Sequence, residues 1–171
     1  TDETEAIDNT AIGYMTLNLT TDGTANTAVG KEALSVNTQG DDNTAIGAVA
    51  MVRNQTGDRN TAVGRNALFS NLSGNENTAI GGTSLFSNTT GGQNTAVGRN
   101  ALYSNTSNDN TAVGEGALYS STVEGNTAVG YRAGASVNTV SGNTTGTYNT
   151  YLGYRATTTI NNLTNATAIG N

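Results

Sequence analysis

The chain contains no cysteine, histidine, proline or tryptophan, and these absences exclude several classes of function. Without cysteine it can form neither disulfides nor thiolate metal sites. Without histidine and cysteine, the usual serine–histidine and cysteine–histidine nucleophiles cannot be built, so we expect no catalytic residues and no enzyme. Disordered chains are rich in proline and charge, whereas here the hydrophobic residues recur at fixed intervals, so we expect an ordered fold.

Charge and long apolar runs are also scarce. Charged residues make up 12% of the chain and the formal net charge is −6. A nucleic-acid-binding surface needs a basic stripe that displaces phosphate counterions, so nucleic acid is not an expected partner. No apolar run reaches about 18 residues, so we expect no membrane insertion in this segment. Hydrophobic residues amount to only 35%, which suits a thin core better than a compact globule.

What the sequence has in abundance is one pentapeptide, Asn-Thr-Ala-(Val/Ile)-Gly. Eight copies and two variants, Asn-Thr-Tyr-Leu-Gly and Ala-Thr-Ala-Ile-Gly, follow one another at intervals of 17 (five times), 16, 16, 23 and 17 residues. A unit of this length is too short for a helical-hairpin repeat, which needs about 33 residues. The copies begin at Asn9, Asn26, Asn43, Asn60, Asn77, Asn94, Asn110, Asn126, Asn149 and Ala166.

This spacing predicts an all-β fold, a β-solenoid (parallel β-roll) of about ten coils of 16–17 residues. The whole chain, 1–171, is then a single repeat domain. Residues 1–8 form a partial coil, 9–130 the regular coils, 131–148 an irregular coil with an insertion, and 149–171 the last coils.

Each coil is expected to contain two strands, Thr-Ala-Val and a second centred on Ala-Leu, stacked on the next coil at about 4.8 Å. Because side chains alternate along a strand, Thr and Val share one face, and Asn, Ala and Gly share the other. We expect the Val/Ile column to lie inside, against the Leu column that includes Leu34 and Leu68. The stacked asparagines should hydrogen-bond along the rod as a structural ladder: Asn9, Asn26, Asn43, Asn60, Asn77, Asn94, Asn110, Asn126 and Asn149.

The aromatic residues form a column of their own. In four consecutive coils the residue after Leu is aromatic, namely Phe69, Phe86, Tyr103 and Tyr119. At ladder spacing these rings should stack and form an outward stripe. We interpret the stripe as an interface with a neighbouring subunit, with a sugar-stacking strip or packing within a wider coil as alternatives.

The remaining candidates are weaker. The stretch 131–148 carries six extra residues and has Gly134 where Leu belongs, which indicates a bulging loop or, alternatively, a ligand-binding loop. Asp41 and Asp42 beside Gly40 could collect Ca²⁺, but solvated turn carboxylates are the better interpretation, so no metal and no cofactor is expected. The Asn-Xaa-Ser/Thr triplets at Asn54, Asn71, Asn88 and Asn105 are interpreted as structural.

The Asn-Thr-Ala-Val-Gly unit resembles the head repeats of trimeric autotransporter adhesins, which carry a similar Ser-Val-Ala-Ile-Gly core. It is more similar still to the Asn-Thr-Ala-Val-Gly-Xaa-Xaa-Ala-Leu repeats of phage tail-fibre-like and bacterial surface proteins. The resemblance runs from Asn9 to Gly170. It implies a left-handed parallel β-roll, an extracellular location on a cell surface or virion, an attachment function, a homotrimer, and a host surface protein or glycan as partner.

Function is therefore expected to be structural: a non-catalytic extracellular fibre segment that mediates surface attachment or forms a filament. One alternative is a subunit that polymerises head to tail and has no separate ligand. Another is an ice-binding solenoid, because the repeated threonines, such as Thr44 and Thr61, would form a regular hydroxyl column. A half-buried strand threonine chosen for β-propensity is the simpler interpretation of that column.

Overall fold

Ten short parallel strands form one continuous sheet in the computed structural model of the chain, which describes residues 8–135, 146–158 and 162–170. Strand order follows the chain, so each strand pairs only with its predecessor and successor. The described residues contain no helix. The strands are β1 Thr10–Ile12, β2 Thr27–Val29, β3 Thr44–Ile46, β4 Thr61–Val63, β5 Thr78–Ile80, β6 Thr95–Val97, β7 Thr111–Val113, β8 Thr127–Val129, β9 Thr150–Leu152 and β10 Thr167–Ile169.

The predicted all-β solenoid is confirmed, with about nine turns and about 17 residues per coil. The register is the same at every step, so that Thr44 lies opposite Thr61, Ala45 opposite Ala62 and Ile46 opposite Val63. Identical side chains are therefore stacked in straight columns along the sheet. Each residue of the pentapeptide therefore forms a column that runs along the whole sheet.

Glycine ends every strand because the backbone turns there with a conformation that other residues resist. Gly64 has a φ of +131°, and a Cβ built on it would lie 2.8 Å from the carbonyl of Gly81 in the next coil. The glycine column thus permits both the turn and the close approach of successive coils.

The predicted second strand, centred on Ala-Leu, is wrong: this segment is a series of turns. Leu68 adopts a φ of +51° in the left-handed region, which is incompatible with an extended strand. Backbone bonds still join this segment to its neighbours, as when the amide of Leu68 donates to the carbonyl of Ser84 at 2.9 Å. The sheet therefore covers one side of the coil, and stacked turns form the others.

The core consists of alanine, leucine and asparagine. In the coil that begins at Asn60, the side chains of Ala62, Ala67, Leu68 and Asn71 are fully buried. The same columns continue through the neighbouring coils, with Met51 replacing leucine in one of them.

Placing the Val/Ile column inside was also wrong, since the strand faces are reversed. Ile46 and Ile80 are each 41% exposed, whereas Ala45 and Ala79 have no exposure. The physical reason is that Asn and Ala share a face, and the asparagine amide must be inside to bond the buried backbone. With the amide and the Leu side chain occupying the narrow interior, only alanine fits at the middle of the strand.

Candidate functional site

The ladder asparagines that precede each strand hold successive coils together. The side-chain Oδ1 of each accepts a hydrogen bond from the backbone N–H of the next member, with N···O distances of 2.8–3.1 Å. The series begins at Oδ1 of Asn9 and ends with the bond that the N–H of Ala166 donates to Asn149. From Asn26 to Asn149 the side chains are at most 1% exposed. Burial matters here because a hydrogen bond in the low-dielectric interior is electrostatically stronger than the same bond in water.

A second asparagine ladder was not predicted as such from the sequence. Its amides also bond coil to coil, as when Nδ2 of Asn54 donates to Oδ1 of Asn37 and Nδ2 of Asn71 to Oδ1 of Asn54, both at 2.7 Å. The signal in the sequence is the Asn-Xaa-Xaa-Gly spacing, as at Asn54 and Gly57, which recurs in four successive coils. The members are Asn37, Asn54, Asn71, Asn88 and Asn105.

In five coils, from the one that begins at Asn26 to the one that begins at Asn94, the two ladders meet on one backbone carbonyl. The carbonyl oxygen of Gly57 accepts from Nδ2 of Asn43 at 2.7 Å and from Nδ2 of Asn54 at 2.9 Å. Asn43 lies 14 residues from Gly57, so this bond ties the start of the coil to its end. The Asn-Xaa-Ser/Thr triplets at Asn54, Asn71, Asn88 and Asn105 therefore have buried, bonded amides in the folded chain.

Two turn carboxylates, those of Asp41 and Asp58, also serve as structural acceptors. Oδ1 of Asp41 accepts from the backbone N–H of Thr24 at 2.7 Å, and Oδ1 of Asp58 accepts from that of Asp41 at 2.9 Å. Asn75 takes the same place one coil later and accepts from Asp58. Within the described residues there is no group of three or more acidic, histidine or cysteine side chains that could hold a metal ion.

The predicted aromatic stripe is a continuous stack of four rings. Centroid separations are 4.9 Å for Phe69–Phe86, 5.1 Å for Phe86–Tyr103 and 5.0 Å for Tyr103–Tyr119, with planes within 9° of parallel. The guanidinium carbon of Arg53 lies 5.0 Å from the Phe69 centroid and caps that end of the stack. Phe69, Phe86 and Tyr103 are half-buried, and Tyr119 is exposed at 39%.

A second aromatic pair escaped the sequence interpretation. Tyr131 and Tyr154 stack with centroids 5.3 Å apart, and Arg132 and Arg155 each lie with the guanidinium carbon 5.5 Å from the adjacent ring. The signal was the Tyr-Arg dipeptide directly after the strand glycine in two successive coils. Cation–π contacts of this kind are worth about 0.5–1 kcal/mol at exposed sites.

The outer face of the sheet, defined here as the Thr and Val/Ile/Leu side chains of the ten strands, is uncharged along its whole length. Seven of its ten apolar members are exposed, from 37% at Val113 to 75% at Ile169, and the other three, Val29, Val63 and Val97, are half-buried. Because the register is constant, the face is two straight columns of β-branched side chains, interrupted by a single leucine at position 152.

The irregular coil keeps its core by exchanging two residues. Gly134 occupies the place of the core leucine, and Tyr151 occupies that of the strand alanine in the next coil. Tyr151 is 1% exposed, and a Cβ on Gly134 would lie 2.9 Å from its ring. The tyrosine ring thus fills the space that leucine vacates. The predicted insertion lies mostly in 136–145, outside the described residues.

Comparisons with protein-family models, with curated proteins and with solved structures find no match for this chain. No helix among the described residues has the length and apolar character needed to cross a bilayer. The class that the fold defines is a tandem-repeat β-solenoid.

Proposed function

We propose that the chain is a non-catalytic segment of an extracellular fibre, displayed on a cell or virion surface, where it acts as an attachment rod. The observation that supports this function is the uniformity of the stack. Every coil is joined to the next by the strand ladder and by buried side-chain amides. Nine steps between ten strands, at roughly 4.8 Å each, give a length of about 43 Å.

The repeat architecture suits this role because each coil contacts only its neighbours. Length can therefore grow by adding coils, without redesigning a core. The interior is narrow and fully occupied by alanine, leucine and bonded asparagine, so the side chains left for contact with other molecules lie in exposed columns along the rod.

The location is tested by antibodies raised against the purified chain. They should label intact cells or virions of the source organism, and in electron micrographs the label should lie on projecting fibres. Labelling that appears only after lysis would contradict the proposal. A host protein or glycan is the expected attachment partner, and purified chain should then compete with intact particles for host cells.

We further propose that copies of the chain assemble side by side through the outer face. This face is uncharged and carries a continuous apolar column beside its threonines, and a second copy has the same pitch, so each coil of one rod can meet an equivalent coil of its partner. Contiguous exposed apolar surface of this kind marks interaction sites. A homotrimer is the closed form of such an assembly, and a head-to-tail filament would instead use the terminal coils.

Ice binding is a second candidate, favoured by the reversal of the strand faces. Threonine and valine both point outward, so the outer face presents two regularly spaced columns of small branched side chains rather than one. An ice surface, like a second copy, would match a flat periodic array. Thermal hysteresis and faceted ice crystals from a monomeric protein would support this candidate, and ordinary freezing behaviour would oppose it.

A further inference from the structure

The aromatic stack ends at Tyr119, and the equivalent position in the next coil is occupied by an alanine. Phe69, Phe86, Tyr103 and Tyr119 each stand nine residues after a ladder asparagine, and nine residues after Asn126 stands Ala135. The backbone register continues into this coil. The amide of Leu118 donates to the carbonyl of Ala133 at 2.9 Å, and that of Gly134 donates to the carbonyl of Ala156 at 2.8 Å.

The last ring therefore has one face stacked on Tyr103 and one face without a ring, as far as the described residues extend. A cleft of about 230 Å³ opens at this point, bounded by Tyr119 and Ala135. The rings repeat at 4.9–5.1 Å, so a ligand ring placed at the next step would lie over Ala135, in the position of a fifth ring.

The rest of the cleft is polar. Its described lining includes Asn100, Glu115, Ser120 and Arg132, which supply an amide, a carboxylate, a hydroxyl and a guanidinium. One end of the Asn100 amide is hydrogen-bonded to the hydroxyl of Thr83, which leaves the other end for a ligand. Gly116, between Asn100 and Arg132 in the same column of turn residues, carries no side chain to fill the space.

We propose that this cleft binds one pyranose residue of a glycan, with the apolar face of the sugar ring on Tyr119 and its hydroxyls bonded to the polar rim. A pyranose has at least one apolar ring face, made of C–H groups, and a polar edge of hydroxyls, which is the combination that the cleft offers. A simple arene would satisfy the ring face but would desolvate the carboxylate and guanidinium without replacing their hydrogen bonds. The inference deepens the proposed function and rests on its adhesive part, since it names the chemistry of the attachment partner.

The test uses the full chain and saturation-transfer NMR with millimolar methyl glycosides of glucose, galactose, mannose, N-acetylglucosamine and N-acetylgalactosamine. At least one should receive saturation, strongest on the protons of a single ring face. Tyr119→Phe keeps the stacking surface and should bind as wild type does. Tyr119→Ser should weaken binding roughly tenfold or more, the equivalent of a lost aromatic contact.

Ala135→Phe is the decisive variant, because it supplies the fifth ring from the chain itself. Binding should be lost while the melting temperature stays the same or rises, which separates occupation of the cleft from misfolding. The inference is overturned if no glycoside binds, if p-cresol binds and the sugars do not, or if Ala135→Phe binds as wild type does. Surface labelling of intact particles is independent of these results, so a negative outcome here leaves the proposed fibre role standing.

Discussion

In each of the six coils that begin at Asn9, Asn26, Asn43, Asn60, Asn77 and Asn94, three non-glycine residues lie in the left-handed backbone region, and only the second of the three contributes to the core. In the coil that begins at Asn60 these are Asn66 at +57°, Leu68 at +51° and Glu76 at +58°. This conformation costs a non-glycine residue roughly 1–2 kcal/mol. Leu68 offsets this cost by burying its side chain in the interior. Asn66 and Glu76 gain no such burial, and their left-handed conformation persists because the chain has to turn at these positions.

Val49 shows where that strain is least compensated. It is β-branched, only half-buried, and has a φ of +61° in the column where the next coil has Asn66 and a later coil has Asn100. Because asparagine accepts this conformation readily, Val49→Asn should raise the free energy of unfolding by about 1 kcal/mol. Val63→Asn is the matched control: it removes a β-branched residue from a strand and should lower stability. Urea denaturation of both variants measures the difference, and a loss of stability in Val49→Asn would contradict the strain argument.

Adjacent strand residues should respond oppositely to a charge. Ala96 is fully buried and Val97 is half-exposed on the outer face. Ala96→Asp places an unpaired charge in the core and should cost about 4 kcal/mol or more, enough to unfold much of the chain. Val97→Asp should cost about 1 kcal/mol. Equal shifts in the denaturation midpoints would contradict the orientation of the strands.

At the scale of the element, the coil that begins at Asn126 shows that the core constrains total volume rather than each position. Gly134 and Tyr151 depart from the repeat together, and their departures compensate. Tyr151→Ala alone should cost about 3–5 kcal/mol because it opens a cavity. Gly134→Leu alone should also destabilise, since the new side chain would meet the tyrosine ring. The double variant restores the regular Ala/Leu core and should recover most of the loss, which a double-mutant cycle measures.

The same tyrosine predicts a loss of stability at alkaline pH. Burial raises the pKa of the Tyr151 hydroxyl, while its polar neighbours Thr158 and Asn149 act in the opposite direction. A raised pKa in the folded state means that the unfolded chain releases the proton first. Stability contributed by the neutral hydroxyl is therefore complete below about pH 10 and is lost as the pH rises past it. Melting temperatures of wild type and Tyr151→Phe should diverge in that range, the wild type falling more steeply. Parallel curves would show that the hydroxyl is not buried.

The repeat period, the first strand of each coil, the burial of leucine and the existence of the aromatic column were all predictable from spacing. The orientation of the strand was not predictable, because alternation places Ala and Val on opposite faces without showing which face is the inner one. Hydrophobicity alone favours valine as the inward residue. The hydrogen-bonding needs of the buried turn backbone favoured the face of asparagine, and they prevailed because an unpaired buried amide costs more than an exposed valine. The turns around Leu68 could not be predicted, because leucine seldom adopts the left-handed backbone conformation and its sequence context gives no sign of it.

At the scale of the whole molecule, the reversal of the strands changes which surface is available for assembly. The rings of the aromatic stack cover one another's faces, and three of the four are half-buried. The outer face has no such internal partner, and Ile46, Ile80 and Val113 are between 37% and 41% exposed. Exposed apolar area therefore ranks the outer face ahead of the stripe that the sequence suggested as an interface.

Two sets of substitutions separate these surfaces in sedimentation experiments. We expect the wild-type chain to self-associate laterally, and Ile46→Lys, Ile80→Lys and Val113→Lys together to return it to a monomer, because association would bury three like charges in an apolar contact. Replacing Phe69, Phe86, Tyr103 and Tyr119 together by serine should leave a lateral assembly through the outer face intact. Far-ultraviolet circular dichroism of both variants checks that the solenoid still forms. If the serine variant dissolves the assembly and the lysine variant does not, the aromatic stripe is the interface. A wild-type chain that stays monomeric at high concentration would rule out both surfaces, and would leave the outer face free for the ice-binding test.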